Sequence, residues 1–140
     1  MSINGIWYNE LGSSMSVTIN GNTISGTYSN AAGQAAGEYD FIGVLEPSPV
    51  NTNQALAWVV TWVRKADQKN FHSVTAWSGQ YQLIQGIETI TTEWLMTAET
   101  TPDADWASTN VGHDVFTRAK PSAETVSKRL KLSSWSHPKK

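Results

Sequence analysis

Residues 72–80 read HSVTAWSGQ, and in this stretch Ser73, Thr75 and Trp77 fall at every second position. Alternate residues of a β-strand share a face, so two hydroxyls and an indole point the same way. The same spacing groups Leu56, Trp58, Val60 and Trp62 in ALAWVVTW, Thr92, Trp94 and Met96 in TTEWLMT, and Asp114 with Phe116 in VGHDVF. A tryptophan stripe alone is ordinary core. Hydroxyls and a carboxylate set among the indoles are different, because each costs roughly 1–3 kcal/mol if buried without a partner. The chemistry this pattern suits is non-covalent recognition of a small ligand that has both apolar and hydrogen-bonding parts.

Reactive chemistry fits less well. His72-Ser73 and His113-Asp114 suggest a Ser-His-Asp relay only superficially, since neighbouring strand residues face opposite ways. There is no G-x-S-x-G elbow. A metal centre would draw on His72, His113 and His137, whose spacing matches no ligand pattern. With no cysteine, the chain has neither a disulfide framework nor a thiolate nucleophile.

The elements that must position these residues are short β-branched and aromatic runs parted by Gly, Asn, Ser and Pro clusters. The spacing predicts eight strands near 5–11, 14–20, 23–30, 37–46, 54–65, 71–81, 88–98 and 110–118. Asn20-Gly21 supplies the positive φ of a tight hairpin between the second and third. No helical pattern of crossover length lies between strands, so consecutive antiparallel hairpins predict an all-β, eight-stranded antiparallel up-and-down barrel. Such a barrel has room for one small ligand. Val59, Val63, Val74, Leu95, Val111 and Val115 then face outward, an apolar surface that calls for cover by another subunit.

The length of 140 residues and 39% hydrophobic content suit one domain with one core. No run of about 18 apolar residues is present, and Met1 leads into polar residues rather than a basic-then-apolar leader, so the chain is expected to be soluble, with its compartment open. Residues 1–117 hold three basic and eleven acidic side chains, whereas 118–140 hold seven basic side chains and Glu124. An acidic body argues against nucleic acid, whose phosphates need clustered Lys and Arg. We therefore divide the chain into a barrel over 1–121 and a basic tail over 122–140. Within the tail, SAETVSKRLKL at 122–132 can form a short helix capped by Ser122, with Val126 and Leu130 on one side.

GIWYNELGSS (5–14), SGTYSNAAG (25–33), ALAWVVTW (55–62), HSVTAWSGQY (72–81), TTEWLMT (91–97) and DADWASTNVGHDVFT (103–117) resemble, in order, the successive strands of the avidin family. The resemblance covers roughly residues 5–121. It implies a non-catalytic, high-affinity binder that sequesters biotin without a cofactor. By that resemblance Asn9, Ser13 and Tyr28 converge on the ureido oxygen, and Asp114 accepts a ureido N–H from the other side. Thr75 faces the thioether sulfur and Ser73 the valeryl carboxylate. Trp62, Trp77 and Trp94 form aromatic walls, and Leu11 and Met96 complete the lining. Trp106 matches an indole that reaches into a neighbouring subunit's pocket, implying a homotetramer built as a dimer of dimers. Val111, Leu95 and His113 match another subunit contact.

Three departures stand out. Asn30 replaces a serine that would be a second acceptor for ureido N–H, and Gln34 replaces an asparagine in the loop over the carboxylate. The 63–71 connection is about two residues longer, which is expected to affect only a surface loop. At the end of the chain, Trp135-Ser136-His137-Pro138 resembles the start of a peptide tag that occupies biotin pockets of this family, with Lys139 in place of glutamine. A disordered tail, an added tag in altered form and an intrinsic peptide that enters a neighbour's pocket all remain open. The rival function is a lipocalin-type carrier with the same barrel and a hydrocarbon-like cargo.

Overall fold

The computed structural model describes residues 2–31, 33–47, 53–124 and 127. Eight strands form a closed antiparallel barrel in chain order: β1 (Gly5–Asn9), β2 (Ser14–Asn20), β3 (Thr23–Asn30), β4 (Gly37–Leu45), β5 (Gln54–Val63), β6 (Asn70–Ile84), β7 (Ile87–Ala98) and β8 (Thr109–Thr117). This is the architecture the hairpin pattern predicts. The last seam, β1 on β8, is short, with Tyr8 opposite Thr117 and Asn9 opposite Phe116.

Strand boundaries depart from expectation where side chains intervene. β1 stops at Asn9 because Asn9 Oδ1 takes the amides of Leu11 and Ser13, at 3.0 and 2.9 Å, and turns the chain. β5 stops at Val63, and the Arg64 amide closes a loop onto the Lys69 carbonyl at 2.9 Å. β6 runs on to Ile84, since Gln85 and Gly86 both take positive φ (52° and 79°) and make a tight hairpin that extends the ladder to Ile84 opposite Ile87. The Asn20-Gly21 turn is found as expected, with Gly21 at φ 64°.

In the β5–β6 ladder, Thr61 pairs with Val74 but Val63 pairs with Asn70. The irregularity lies around His72, whose φ is 55°. Beyond it, Ser73, Thr75 and Trp77 all face inward.

Alternation makes hairpin connections fall at two ends. The 10–13, 31–36, 64–69 and 99–108 connections share one end; the 21–22 and 85–86 turns, the 46–53 connection and both flanks of the chain share the other. Near the second end the interior is apolar, with Trp7, Phe41, Tyr81, Ile90 and Phe116 buried. Arg118 stacks over the Trp7 ring at 3.9 Å and donates to the carbonyls of Ser2, Asn4 and Ile6 at 2.8, 2.9 and 3.3 Å. Glycine is required where strands close tightly: a Cβ on Gly79 would lie 1.9 Å from the Thr91 carbonyl oxygen.

The outward residues behave as parity predicts. Val59, Val74, Leu95 and Val111 are exposed, together with Ile42 and Val44, while Val63 and Val115 are half-buried. A shallow apolar depression of about 420 Å³ on this outer surface is lined by Ile42, Val44, Ala57, Val59 and Ala76. Among the described residues no helix is long and apolar enough to cross a membrane. Of the expected 122–132 helix, Ala123, Glu124 and Ser127 have helical geometry and Ser122 directly precedes them; 125–126, 128–132 and the 135–138 motif lie outside the described residues.

Candidate functional site

Polar side chains inside the barrel gather toward the end that carries the 10–13, 31–36, 64–69 and 99–108 connections. Asn9, Ser13, Asn30, Ser73, Thr75 and Asp114 are all buried there, beside Leu11, Tyr28, Trp62, Trp77, Trp94 and Met96. Parity on the strands delivers most of them. Asn9 ends β1, Tyr28 and Asn30 end β3, and Ser13 precedes β2.

The donors are oriented by the backbone. With Asn9 Oδ1 occupied by two main-chain amides, the planar side-chain amide must turn its NH₂ group the other way, and Nδ2 lies 3.5 Å from the Tyr28 hydroxyl. Ser13 Oγ accepts the Ala31 amide at 3.1 Å and donates to Asn30 Oδ1 at 3.4 Å. Asn30 in turn donates through Nδ2 to the Ala35 carbonyl at 3.3 Å. Burial, chiefly, and the nearby Asp114 charge raise the Tyr28 pKa well above that of an ordinary phenol, partly offset by its bond to Ser13. The phenol is therefore held protonated, as a donor.

Asp114 stands on β8, the strand paired with β1, two residues from the Phe116 that faces Asn9. Its Oδ2 accepts the Trp77 indole N–H at 2.9 Å, and its Oδ1 is buried with no partner among the described residues. Burial pushes its carboxyl well above the usual carboxylate range; the Trp77 bond opposes this and the charge of Glu10 adds to it. Its main-chain carbonyl accepts from the Thr92 hydroxyl at 2.9 Å, which fixes the strand position that aims the side chain. Ser73 Oγ is a second buried polar atom with no partner among the described residues.

Aromatic rings fill the space between. Tyr28 and Trp77 have centroids 5.0 Å apart, Trp58 stacks on Trp77 at 5.4 Å, and Tyr39 meets Trp62 edge-on at 4.7 Å. Trp62 Nε1 donates to Thr75 Oγ1 at 2.8 Å, which fixes the indole against β6. Packing of this kind leaves little freedom to the rings, so the polar atoms they flank are held in place before any ligand arrives.

Two sequence-derived candidates sit apart. Gln34 is exposed on the 33–36 turn. Trp106 stands in the 3-10 turn Pro102–Ala107 and is 86% exposed, pointing into none of this chain's interior. Two of the three candidate histidines pair outside the barrel, His72 with Glu99 at 3.3 Å and His113 with Glu93 at 2.8 Å, and His137 lies outside the described residues. Sequence reasoning missed Tyr39, whose hydroxyl donates to the Ala35 carbonyl at 2.6 Å beneath the 33–36 turn. It also missed Arg64, having given the 63–71 connection a surface role only. Arg64 in fact bonds the Gln34 and Ala36 carbonyls on the far side of that turn. The signal for Tyr39 was present in its inward parity on β4; Arg64 lies on a loop, where parity is silent. The Avidin family model matches residues 1–119 of the chain.

Proposed function

The chain belongs to the avidin family, and we propose that it binds biotin inside the barrel, without catalysis, as a homotetramer in which Trp106 completes a neighbour's pocket. The observation that carries this reading is Asp114 Oδ1, a buried carboxylate oxygen with no partner among the described residues, on the strand beside the one that bears Asn9, in a barrel whose interior also holds Ser13 Oγ and Tyr28 OH. A cyclic urea has the complementary pattern, one carbonyl oxygen between two N–H groups. The three donors polarise that oxygen, and Asp114 takes an N–H made more acidic by the same polarisation. Charge-assisted bonds of this kind are strong in a dry site whose donors need no reorganisation.

The remaining residues suit the rest of the molecule. Trp62, Trp77 and Trp94 suit the apolar ring, Thr75 the thioether, and the buried Ser73 Oγ the carboxylate end. Leu11 and Met96 complete the lining. Asn30 Oδ1 takes the single Ser13 proton at 3.4 Å, so Ser13 donates to the ligand by turning that proton away from Asn30. A hydrocarbon cargo of the lipocalin type would leave Asp114 Oδ1 and Ser73 Oγ buried and unsatisfied, which disfavours it.

Assembly follows from two exposed features. Trp106 presents an indole to solvent, and the outer face carries Ile42, Val44, Val59, Val74, Leu95 and Val111. Cover by further copies removes both from water. The test is titration calorimetry with biotin combined with light-scattering mass. One biotin per chain and a mass of four chains are expected. Absence of heat at micromolar biotin, with binding of a fatty-acid probe instead, refutes the reading.

A further inference from the structure

Arg64, in the connection between β5 and β6, has a side chain that is 20% exposed and makes four hydrogen bonds. Nε and Nη2 donate to the two carboxylate oxygens of Asp67 at 3.0 and 2.8 Å. Nη1 donates to the carbonyls of Gln34 and Ala36, each at 3.1 Å. Between those two, the Ala35 carbonyl takes the Tyr39 hydroxyl at 2.6 Å and Asn30 Nδ2 at 3.3 Å. Three consecutive carbonyls of one turn are thus bonded to side chains, the outer two by Arg64 and the middle one from within the barrel. The turn closes on itself as well, Ala36 N–H reaching the Gly33 carbonyl at 3.2 Å.

Space for the guanidinium depends on Gly37. A Cβ there would stand 2.6 Å from Arg64 Cδ, and the Gly37 φ of 135° disfavours any side chain. On its other flank Arg64 lies over the Phe71 ring, 5.3 Å from its centroid. Asp67 holds the fork in plane, and the planar fork reaches two carbonyls that a lysine ammonium could not bridge in the same way.

We propose that Arg64 is a positioning residue for ligand binding: braced by Asp67, it holds the Gly33–Ala36 turn in its binding-ready form before the ligand arrives. The inference rests on the biotin reading of the pocket, because the turn bears Gln34 and roofs the Tyr39–Asn30 side of the interior. A rim ordered during folding need not be ordered on binding, so the gain appears as slower release.

The test uses Arg64→Ala and Arg64→Lys in the full chain, with Asp67→Asn as a variant that leaves Arg64 in place. Two quantities are measured: biotin association and dissociation rates, and amide hydrogen exchange of the ligand-free protein. Arg64→Ala is expected to raise the dissociation rate about tenfold with association within about twofold. Arg64→Lys and Asp67→Asn should move it the same way by less. Exchange should quicken in peptides covering 33–37 and stay unchanged in those from the β6–β7 ladder. Either readout unmoved in Arg64→Ala overturns the proposal, as does quickened exchange across the whole barrel, which marks a merely structural role. If the unmodified protein fails to bind biotin, the function reading falls by itself, and local exchange at 33–37 alone decides whether Arg64 holds the turn.

Discussion

Replacing Asp114 by asparagine should move ligand binding and stability in opposite directions. Trp77 Nε1 donates to Oδ2 of Asp114 at 2.9 Å, so the asparagine oxygen must occupy that place and its NH₂ group must take the position of Oδ1. The pocket then presents a donor where the proposed ligand also presents a donor. Losing a charge-assisted bond, about 1.5–3 kcal/mol, and leaving a buried N–H unpaired, about 1–3 kcal/mol, together weaken binding by roughly 3–5 kcal/mol. That is a dissociation constant about 10²–10⁴ larger. Without ligand the same change relieves the molecule. Burial raises the folded-state pKa of Asp114, so between its ordinary value and the raised one the folded state binds more protons than the unfolded state, and stability falls as pH rises through that window. Asp114→Asn removes that loss. The ligand-free variant should therefore gain in melting temperature at pH 7 relative to the unmodified protein, and gain least near pH 4. Calorimetry with biotin and scanning calorimetry at both pH values check the two halves. Biotin affinity unchanged within threefold, or a ligand-free variant that is less stable at pH 7 than at pH 4 relative to its parent, refutes the reasoning.

Trp106→Ala should speed biotin release by about 10–100-fold while leaving far-ultraviolet circular dichroism unchanged, because its exposed indole supports none of this chain's core and the proposed tetramer seats it in a neighbour's pocket. Thr75→Val deletes the acceptor for Trp62 Nε1 and should lower stability by about 1–3 kcal/mol, read by urea titration. Gly79→Ala drives a Cβ toward the Thr91 carbonyl, and the expected loss of about 3 kcal/mol lowers the melting temperature by about 10 °C or more. The Arg64–Asp67 pair holds the Asp67 carboxyl at about 2, so its contribution is present above the ordinary carboxylate pKa and lost only as pH falls through about 2. Exchange at 33–37 should therefore keep its dependence on Arg64 down to about pH 3.

Much of this molecule was legible because a barrel strand is a period-two code. Ser73, Thr75, Trp77, Thr92, Trp94 and Asp114 declared their common interior through spacing alone, and their burial follows that pattern. The Asn20-Gly21 turn was readable from its own residue types. The Gln85-Gly86 turn was not, since glutamine rarely takes positive φ, and β6 was expected to end three residues early. The early end of β1 escaped for a related reason: Asn9 spends its oxygen on the chain that follows it, a choice that sequence spacing does not encode. Arg64 was invisible because its partners, Gln34 and Ala36, are main-chain carbonyls about thirty residues away, and carbonyls carry no residue identity.

The short seam between β1 and β8 has a mechanical meaning. Its strands are neighbours whose free flanks leave the barrel side by side, so tension applied through both would open the ladder like a zip, loading rungs in succession rather than together. Arg118, which ties the carbonyls of Ser2, Asn4 and Ile6 to the strand beside them, is then the catch at the start of that zip and sets the force at which it yields.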